Sequence, residues 1–433
     1  MTLRLFFVLL IVPYYRTIAQ IQRCATSEVV RYIQLSDPDY VRRVDEVYTQ
    51  ARALAEKQLA SRNEDDTIFH IRCVFHVVYA ANKPQENIPD SVIYSQIEVL
   101  NEDYRRLNAD TSKTREVFLP VAADTKIQFE LATEDPNGQP TNGITRQTGN
   151  GGFFGFNPIQ DNVKSNSTGG RDPWPTDRYL NIWVCNLFAG ILGYAFPPSN
   201  APGWPANASV DSARQGVVLH YQVVGRNNPN PIDPAVARGR SATHEIGHYL
   251  GLRHIWGDTT GCNKFDGDGI PDTPKQADAH QQNCDTTDNT CADSPTDFPD
   301  MLENYMDYSD DRCLNMFTLG QKEIMRAILR TSRRGIAYTT LSTTVKNAEA
   351  DFTRFTVSPN PAGDIAWVNI TLPKHENTCQ VRVTDTAGRE VASCLYTGQP
   401  LAIPTYSLPA GIYHIQAVSH TKNQTIRMIV NPR

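Results

Sequence analysis

The hydrophobic positions of this chain change period several times, and each change marks an element. Residues 67–79 read T-I-F-H-I-R-C-V-F-H-V-V-Y, an alternating run rich in β-branched and aromatic residues that predicts a long strand. Residues 90–107 carry apolar side chains at helical spacing, with Asp90 and Ser91 as the expected cap. Strands are expected again at 126–132, 179–185 and 216–221, the last two central in a sheet. Residues 190–197 end in prolines, which cannot serve an interior ladder, so this segment is expected at a sheet edge. Upstream, from Tyr40 to about residue 62, a charged stretch rich in Ala, Glu, Leu and Arg predicts a helix.

From about residue 350 the character changes to short β-like segments at 367–370, 381–384 and 412–418, with turns at 385–389 and 408–411. That is the pattern of a small sandwich. At the other end, Arg4, the apolar run 5–12 and Thr17-Ile18-Ala19 read as an export signal over residues 1–19. The run is too short to span a bilayer, and no later segment is apolar enough, so no transmembrane segment is expected.

At 433 residues, with 40% hydrophobic and 20% charged side chains, the chain is an ordinary folded protein of two or three domains. A net charge of −6 without a dense Lys/Arg run excludes the electrostatic footprint of a nucleic-acid binder. The nine cysteines are unevenly spread. Cys262, Cys284, Cys291 and Cys313 fall in a segment rich in Asp, Asn, Thr and Gly that cannot hold itself together by burial. Disulfides are the expected remedy in an oxidising compartment, and four cysteines leave three pairings open.

The chemistry is concentrated at residues 244–254, H-E-I-G-H-Y-L-G-L-R-H. On a helix His244 and His248 are one turn apart and can share one zinc ion. Gly251 can take the left-handed conformation that ends the helix and lets His254 return as third ligand. Glu245, offset by about 100°, is placed to hold a water as general base. A lone cysteine, Cys24, lies just after the signal. It is expected to occupy the open zinc position in a latent precursor whose propeptide spans 20–62. Asp266, Asp268, Asp272 and Thr273 lie in D-G-D-G-I-P-D-T, where alternating acids and glycines can wrap calcium, although the distal Glu of an EF-hand is missing. His70, His76, His220 and His280 are expected to be structural or solvent-facing.

Together with Asn304-Tyr305-Met306-Asp307-Tyr308, the Cys262 to Cys313 tract and Asn315-Met316-Phe317-Thr318, the zinc motif resembles the pappalysin family of metzincins over about residues 65–335. The resemblance implies an α+β catalytic domain over 63–345, with a twisted mixed sheet, an active-site helix and an irregular disulfide-bonded lower subdomain. It further implies Met306 as an apolar floor beneath the metal, Tyr308 as a transition-state partner, and disulfides Cys262–Cys291 and Cys284–Cys313. The edge strand, at Gly193, Tyr194 and Ala195, is expected to pair with extended peptide substrates. Arg23-Cys24-Ala25-Thr26 resembles the start of propeptides in bacterial pappalysins, and calcium is implied near the acidic loop. Some pappalysins favour basic residues after the scissile bond through an acid just before the cysteine that follows the methionine turn. Here that place is Arg312, preceded by Asp310 and Asp311, a departure from the pattern.

Residues 350–433, through V-S-P-N-P-A, D-T-A-G-R and L-P-A-G-I-Y, resemble the C-terminal sorting domain of the Bacteroidetes type IX secretion system. An all-β sandwich and a partnership with that secretion machinery follow. The expected protein is a secreted, zinc-dependent endopeptidase acting on protein or peptide substrates, attached to the cell surface or free after export. The alternatives are a zinc-binding adhesion protein without catalysis, against which the intact Glu245 speaks, and a zinc enzyme acting on a non-peptide amide.

Overall fold

The computed structural model describes residues 21–61, 67–149, 154, 161–199, 215–258, 260–262, 267–341, 352, 354–372, 376–385, 389–419 and 423–431. The expected signal, the last residue of the expected propeptide (Arg62) and Asp266 lie outside them. The chain divides into two compact units, Met1–Leu341 and Ser342–Arg433.

In chain order the first unit contains α1 (Thr26–Ser36), α2 (Tyr40–Ser61), β1 (Thr67–Ala80), α3 (Asp90–Tyr104), β2 (Ala122–Ala123), β3 (Ile127–Leu131) and β4 (Ile144–Gly149). It continues with β5 (Leu180–Cys185), β6 (Gly193–Ala195), β7 (Val217–His220), α4 (Arg240–Tyr249), β8 (Phe317–Thr318), α5 (Leu319–Arg330) and β9 (Ala337–Leu341). The 14-residue β1 is long enough to take two partners on each side. Parallel β3 and then β4 pair along one side, antiparallel β9 and parallel β5 along the other. β7 follows β5 in parallel, and β6 closes the order antiparallel to β7.

Alternation along these strands divides the side chains between two cores, as a period of two requires. Phe75, Ile182, Val184, Val217 and Leu219 pack with Ile93, Leu100 and Tyr104 of α3 and with Ala242, Ile246 and Tyr249 of α4. Val78, Trp183, Cys185, Tyr194 and Val218 point to the opposite face and meet Val29 and Ile33 of α1 and Tyr40 of α2. The amphipathic α2 buries Val47, Tyr48, Ala51 and Ala55 in the main core, alongside α5. Helix α3 differs from expectation at both ends. Its N-cap is Pro89 without a side-chain bond, because the Asp90 carboxylate is drawn to Arg146 and Asn142 instead, and it stops at Tyr104.

Between α4 and β8 the described residues form no helix or strand. Disulfides Cys262–Cys291 and Cys284–Cys313 hold this segment. It returns into α5 through a capping box formed by Thr318 and Gln321.

The second unit is all β: β10 (Phe355–Ser358), β11 (Ile365–Ile370), β12 (Cys379–Asp385), β13 (Glu390–Tyr396), β14 (Leu401–Pro404), β15 (Gly411–Val418) and β16 (Asn423–Val430). Two antiparallel sheets, β10-β11-β14 and β13-β12-β15-β16, enclose Ala366, Val368, Val381, Val383, Ile415, Ala417 and Met428. The Tyr396 hydroxyl joins the sheets by donating to the Ile370 carbonyl at 2.8 Å. No helix among the described residues is long and apolar enough to cross a membrane.

Candidate metal centre and its plugged cleft

Every residue of α4 is buried. His244 and His248 project from one face, one turn apart. The helix ends at Tyr249, and Gly251 reverses the chain with φ +90°, where a Cβ would stand 2.9 Å from Ile328 Cγ1. A side chain there would be strained and crowded, so the glycine is required for His254 to return.

The three Nε2 atoms converge: His248 lies 3.1 Å from His244 and 3.0 Å from His254, and His244 lies 3.2 Å from His254. Each Nδ1 already has an acceptor, the Tyr305 carbonyl for His244 at 2.7 Å, the Leu252 carbonyl for His248 at 2.8 Å and the Asp258 carboxylate for His254. With Nδ1 protonated, each Nε2 turns a lone pair toward the other two, an arrangement that repels unless a cation sits among them. Tetrahedral nitrogen ligands at about 2.05 Å from a zinc ion stand about 3.3 Å apart, so the donor set fits that ion. Burial, followed by the neighbouring histidines, pushes His244 well below its usual range, and burial with His254 takes His248 to about 3, so both are in the neutral form a metal needs.

Glu245 lies on the adjacent strip of α4, fully buried. Its Oε2 accepts hydrogen bonds from the Thr26 hydroxyl at 3.0 Å and the Cys24 thiol at 3.4 Å, while Oε1 has no partner. Burial pushes its pKa up to about 8. Strand β6 passes so close that a Cβ on Gly193 would meet Glu245 Cγ at 2.9 Å. Met306 lies under the helix, its Sδ 2.4 Å from where a Cβ on Gly247 would be, so glycine there lets α4 rest on the thioether. The Tyr308 ring stands 5.5 Å from His244 and 5.1 Å from His254, and its hydroxyl donates to the Cys24 carbonyl at 3.3 Å.

The cleft is filled by the chain's own N-terminal segment. Ala25 N donates to the Gly193 carbonyl at 3.0 Å, Ala195 N donates to Thr26 Oγ1 at 2.9 Å, and Gln22 pairs in parallel with Ile191. Cys24 Sγ lies within 4.8 Å of all three histidine nitrogens. Next to it, Arg23 is buried with its guanidinium 2.5 Å from Asp311 Oδ1 and 2.8 Å from the Ser309 carbonyl. Asp311 Oδ2 accepts from Arg238 N at 2.9 Å. Arg312 points away, exposed and paired with Asp310.

In the acidic loop, Asp268, Asp272 and Thr273 are described. Asp272 accepts the Thr318 hydroxyl and the Gly320 amide at the start of α5, at 2.7 and 2.8 Å. Thr273 donates to Asp268 Oδ1 at 2.7 Å, leaving Asp268 Oδ2 buried without a partner. His76 is buried between Thr145 and Asn181, away from the centre.

Four contributors escaped the sequence: Arg23, Thr26, Asp258 and Asp311. Arg23 and Thr26 flank Cys24, and Asp258 follows the third histidine by one helical turn's spacing. Asp311 was visible only as a neighbour of Arg312.

Residues 163–330 match the family described as pregnancy-associated plasma protein-A, the M43 peptidases, and residues 356–431 match a secretion system C-terminal sorting domain. An extracellular metalloprotease of Arthroderma benhamiae is 30% identical over 266 residues, 61% of this chain and 74% of that protein. Extracellular metalloprotease 1 of Coccidioides posadasii is 30% identical over 268 residues, 61% of this chain and 78% of its own. Among solved structures, mature mirolysin of Tannerella forsythia with a cleaved peptide is 42% identical, covers 62% of this chain and 95% of its own, and superposes with a TM-score of 0.55. A mutant of promirolysin from the same organism is 38% identical, covers 73% of this chain and 97% of its own, with a TM-score of 0.61. The chain is a secreted metallopeptidase and belongs to the pappalysin family.

Proposed function

We propose that this protein is a zinc-dependent endopeptidase made as a latent precursor. The observation that carries this reading is the trio of histidine lone pairs facing one point, with the Glu245 carboxylate beside it. His244, His248 and His254 would hold zinc, which when bound supplies the Lewis acidity that makes water nucleophilic near neutral pH. Glu245 takes a proton from that water and returns it to the leaving amine. Once the N-terminal segment leaves, water reaches the carboxylate and its pKa falls from about 8 toward that of a working base. Tyr308, released from the Cys24 carbonyl, donates to the developing oxyanion. Met306 supports the ligands from below. Strand β6, at Gly193, Tyr194 and Ala195, offers the edge on which a substrate backbone pairs.

Residues 20–62 are the propeptide, with Cys24 as fourth zinc ligand in the precursor. Burial and Glu245 hold the free thiol well above its usual pKa, and a bound dication reverses that. The promirolysin match exceeds the mature one by about a tenth of this chain, the share that 20–62 makes up, which supports the assignment. The catalytic domain spans 63–345, and 350–433 form the sorting domain that addresses the chain to its secretion machinery. Arg23 in the Asp311 pocket supports a preference for a basic side chain after the scissile bond. Calcium at the acidic loop rests on the orphaned Asp268 oxygen.

The test is cleavage of a denatured protein by the purified precursor before and after limited trypsin treatment, beside Glu245→Ala and a chelator. Activity that appears on processing and vanishes in both controls is the expected result. A processed chain that holds zinc and cuts nothing would favour an adhesion protein.

A further inference from the structure

His280 belongs to the irregular segment, outside every motif, yet it is almost fully buried against the segment that carries Tyr308. Its Nδ1 lies 2.5 Å from Asp307 Oδ2, and its backbone amide donates to Asp307 Oδ1 at 3.1 Å. Asp307 is fully buried and also accepts from the Tyr308 amide at 2.8 Å and the Ser309 hydroxyl at 3.0 Å. Two residues on, Gln282 N donates to the Tyr308 carbonyl at 2.9 Å. Residues 280–282 therefore hold Tyr308 in two ways, at its carbonyl directly and at its amide through the Asp307 carboxylate.

We propose that His280 is a positioning residue for catalysis, which through Asp307 fixes the rotation of the Tyr308 backbone and so the aim of the tyrosine hydroxyl. This rests on the reading of Tyr308 as oxyanion donor. An oxyanion donor has to hold its productive position to within about 0.5 Å, and a side chain this far along the chain from the metal ligands keeps its aim only if its backbone is fixed. Burial lowers the affinity of His280 for its proton, but the Asp307 hydrogen bond and the carboxylates of Asp307, Asp300 and Asp288 outweigh it and hold the pKa above the usual value. Asp285 also faces this ring electrostatically, and Arg115 enters the same segment, bonded to the Asp300 carbonyl and to Glu303. The grip is thus a short hydrogen bond between two buried side chains, where low polarity strengthens it.

The carboxylate of the pocket for a basic side chain is anchored elsewhere, and only the Ser309 carbonyl beside it shares the Asp307 anchorage. Asp311 receives Arg238 N, and its own amide donates to the Ala235 carbonyl at 2.8 Å. Loosening His280 should therefore move kcat and leave KM nearly in place.

The experiment compares two polar replacements in the full chain, activated by limited proteolysis. In His280→Asn the amide nitrogen stands where Nδ1 stood and can still reach Asp307. In His280→Gln it stands where Nε2 stood and cannot. His280→Gln is expected to lower kcat about ten- to a hundredfold on an arginine peptide, with KM changed less than about threefold. His280→Asn should retain most of kcat. In a Tyr308→Phe background the Gln and Asn variants should become equal, because the group they aim is gone. Equal kcat for Gln and Asn with Tyr308 present, or a Gln defect that persists undiminished without the tyrosine hydroxyl, would overturn the proposal. A wild type without peptidase activity would instead refute the underlying reading of the site.

Discussion

Replacing Asp311 with Asn tests how this cleft chooses its substrate. In the full chain Arg23 and Asp311 form an ion pair with side chains 1% and 0% exposed, and the Ser309 carbonyl takes a second guanidinium proton. Removing one charge from a buried, hydrogen-bonded pair costs about 2–5 kcal/mol. The activated cleft is open to water on one side, so the lower part of that range, about 2–3 kcal/mol, is the expected loss. That converts to about a 30- to 150-fold fall in kcat/KM for peptides with arginine after the scissile bond. Asn has the shape of Asp and can still accept from Arg238 N, so folding should survive. The assay is a pair of quenched fluorogenic peptides differing only in arginine or leucine at that position, read on processed wild type and variant. The leucine peptide should lose little. An arginine-to-leucine ratio that is the same in both enzymes would refute the assignment of Asp311.

Other perturbations report on latency, floor and scaffold. Cys24→Ala should give an unprocessed precursor with measurable peptidase activity, though below that of the processed enzyme because Arg23 and Thr26 still hold the plug; a precursor as silent as wild type contradicts the switch. Gly247→Ala places a Cβ against the Met306 sulfur and should cost about 1–3 kcal/mol in urea unfolding, with faster zinc loss to a chelator; an unchanged midpoint speaks against the close packing. Paired Cys262→Ser and Cys291→Ser changes reopen a loop with a sequence separation of 29 and should destabilise the first unit by up to about 3.6 kcal/mol. Denaturation that is identical to wild type would mean the loop is held by other contacts.

Five strands of the sheet and the sandwich were legible from local alternation, and α4 from its motif spacing, whereas β4 and β9 carry no comparable local signal. The histidine triad was legible because its spacing is dictated by one helical turn and one glycine reversal. What the sequence hid depends on tertiary proximity. Nothing local says that Arg23 meets Asp311 across 288 positions, or that Thr26 lies between Glu245 and Ala195. The cap of α3 was misread because Asp90 had a distant competitor in Arg146, which propensity does not register. That Asp272 also reaches the first turn of α5, accepting from Thr318 and Gly320, is equally a matter of tertiary proximity. His280 was set aside with the other histidines, since only its burial beside Asp307 distinguishes it.

The most direct test of the account is metal analysis of the purified precursor by elemental stoichiometry together with X-ray absorption at the zinc edge. One zinc per chain, with three nitrogen scatterers at about 2.0–2.1 Å and one sulfur at about 2.3 Å that is replaced by oxygen on processing, is the predicted result. A chain that carries no zinc, or a zinc whose shell keeps sulfur after the N-terminal segment has been removed, would contradict it.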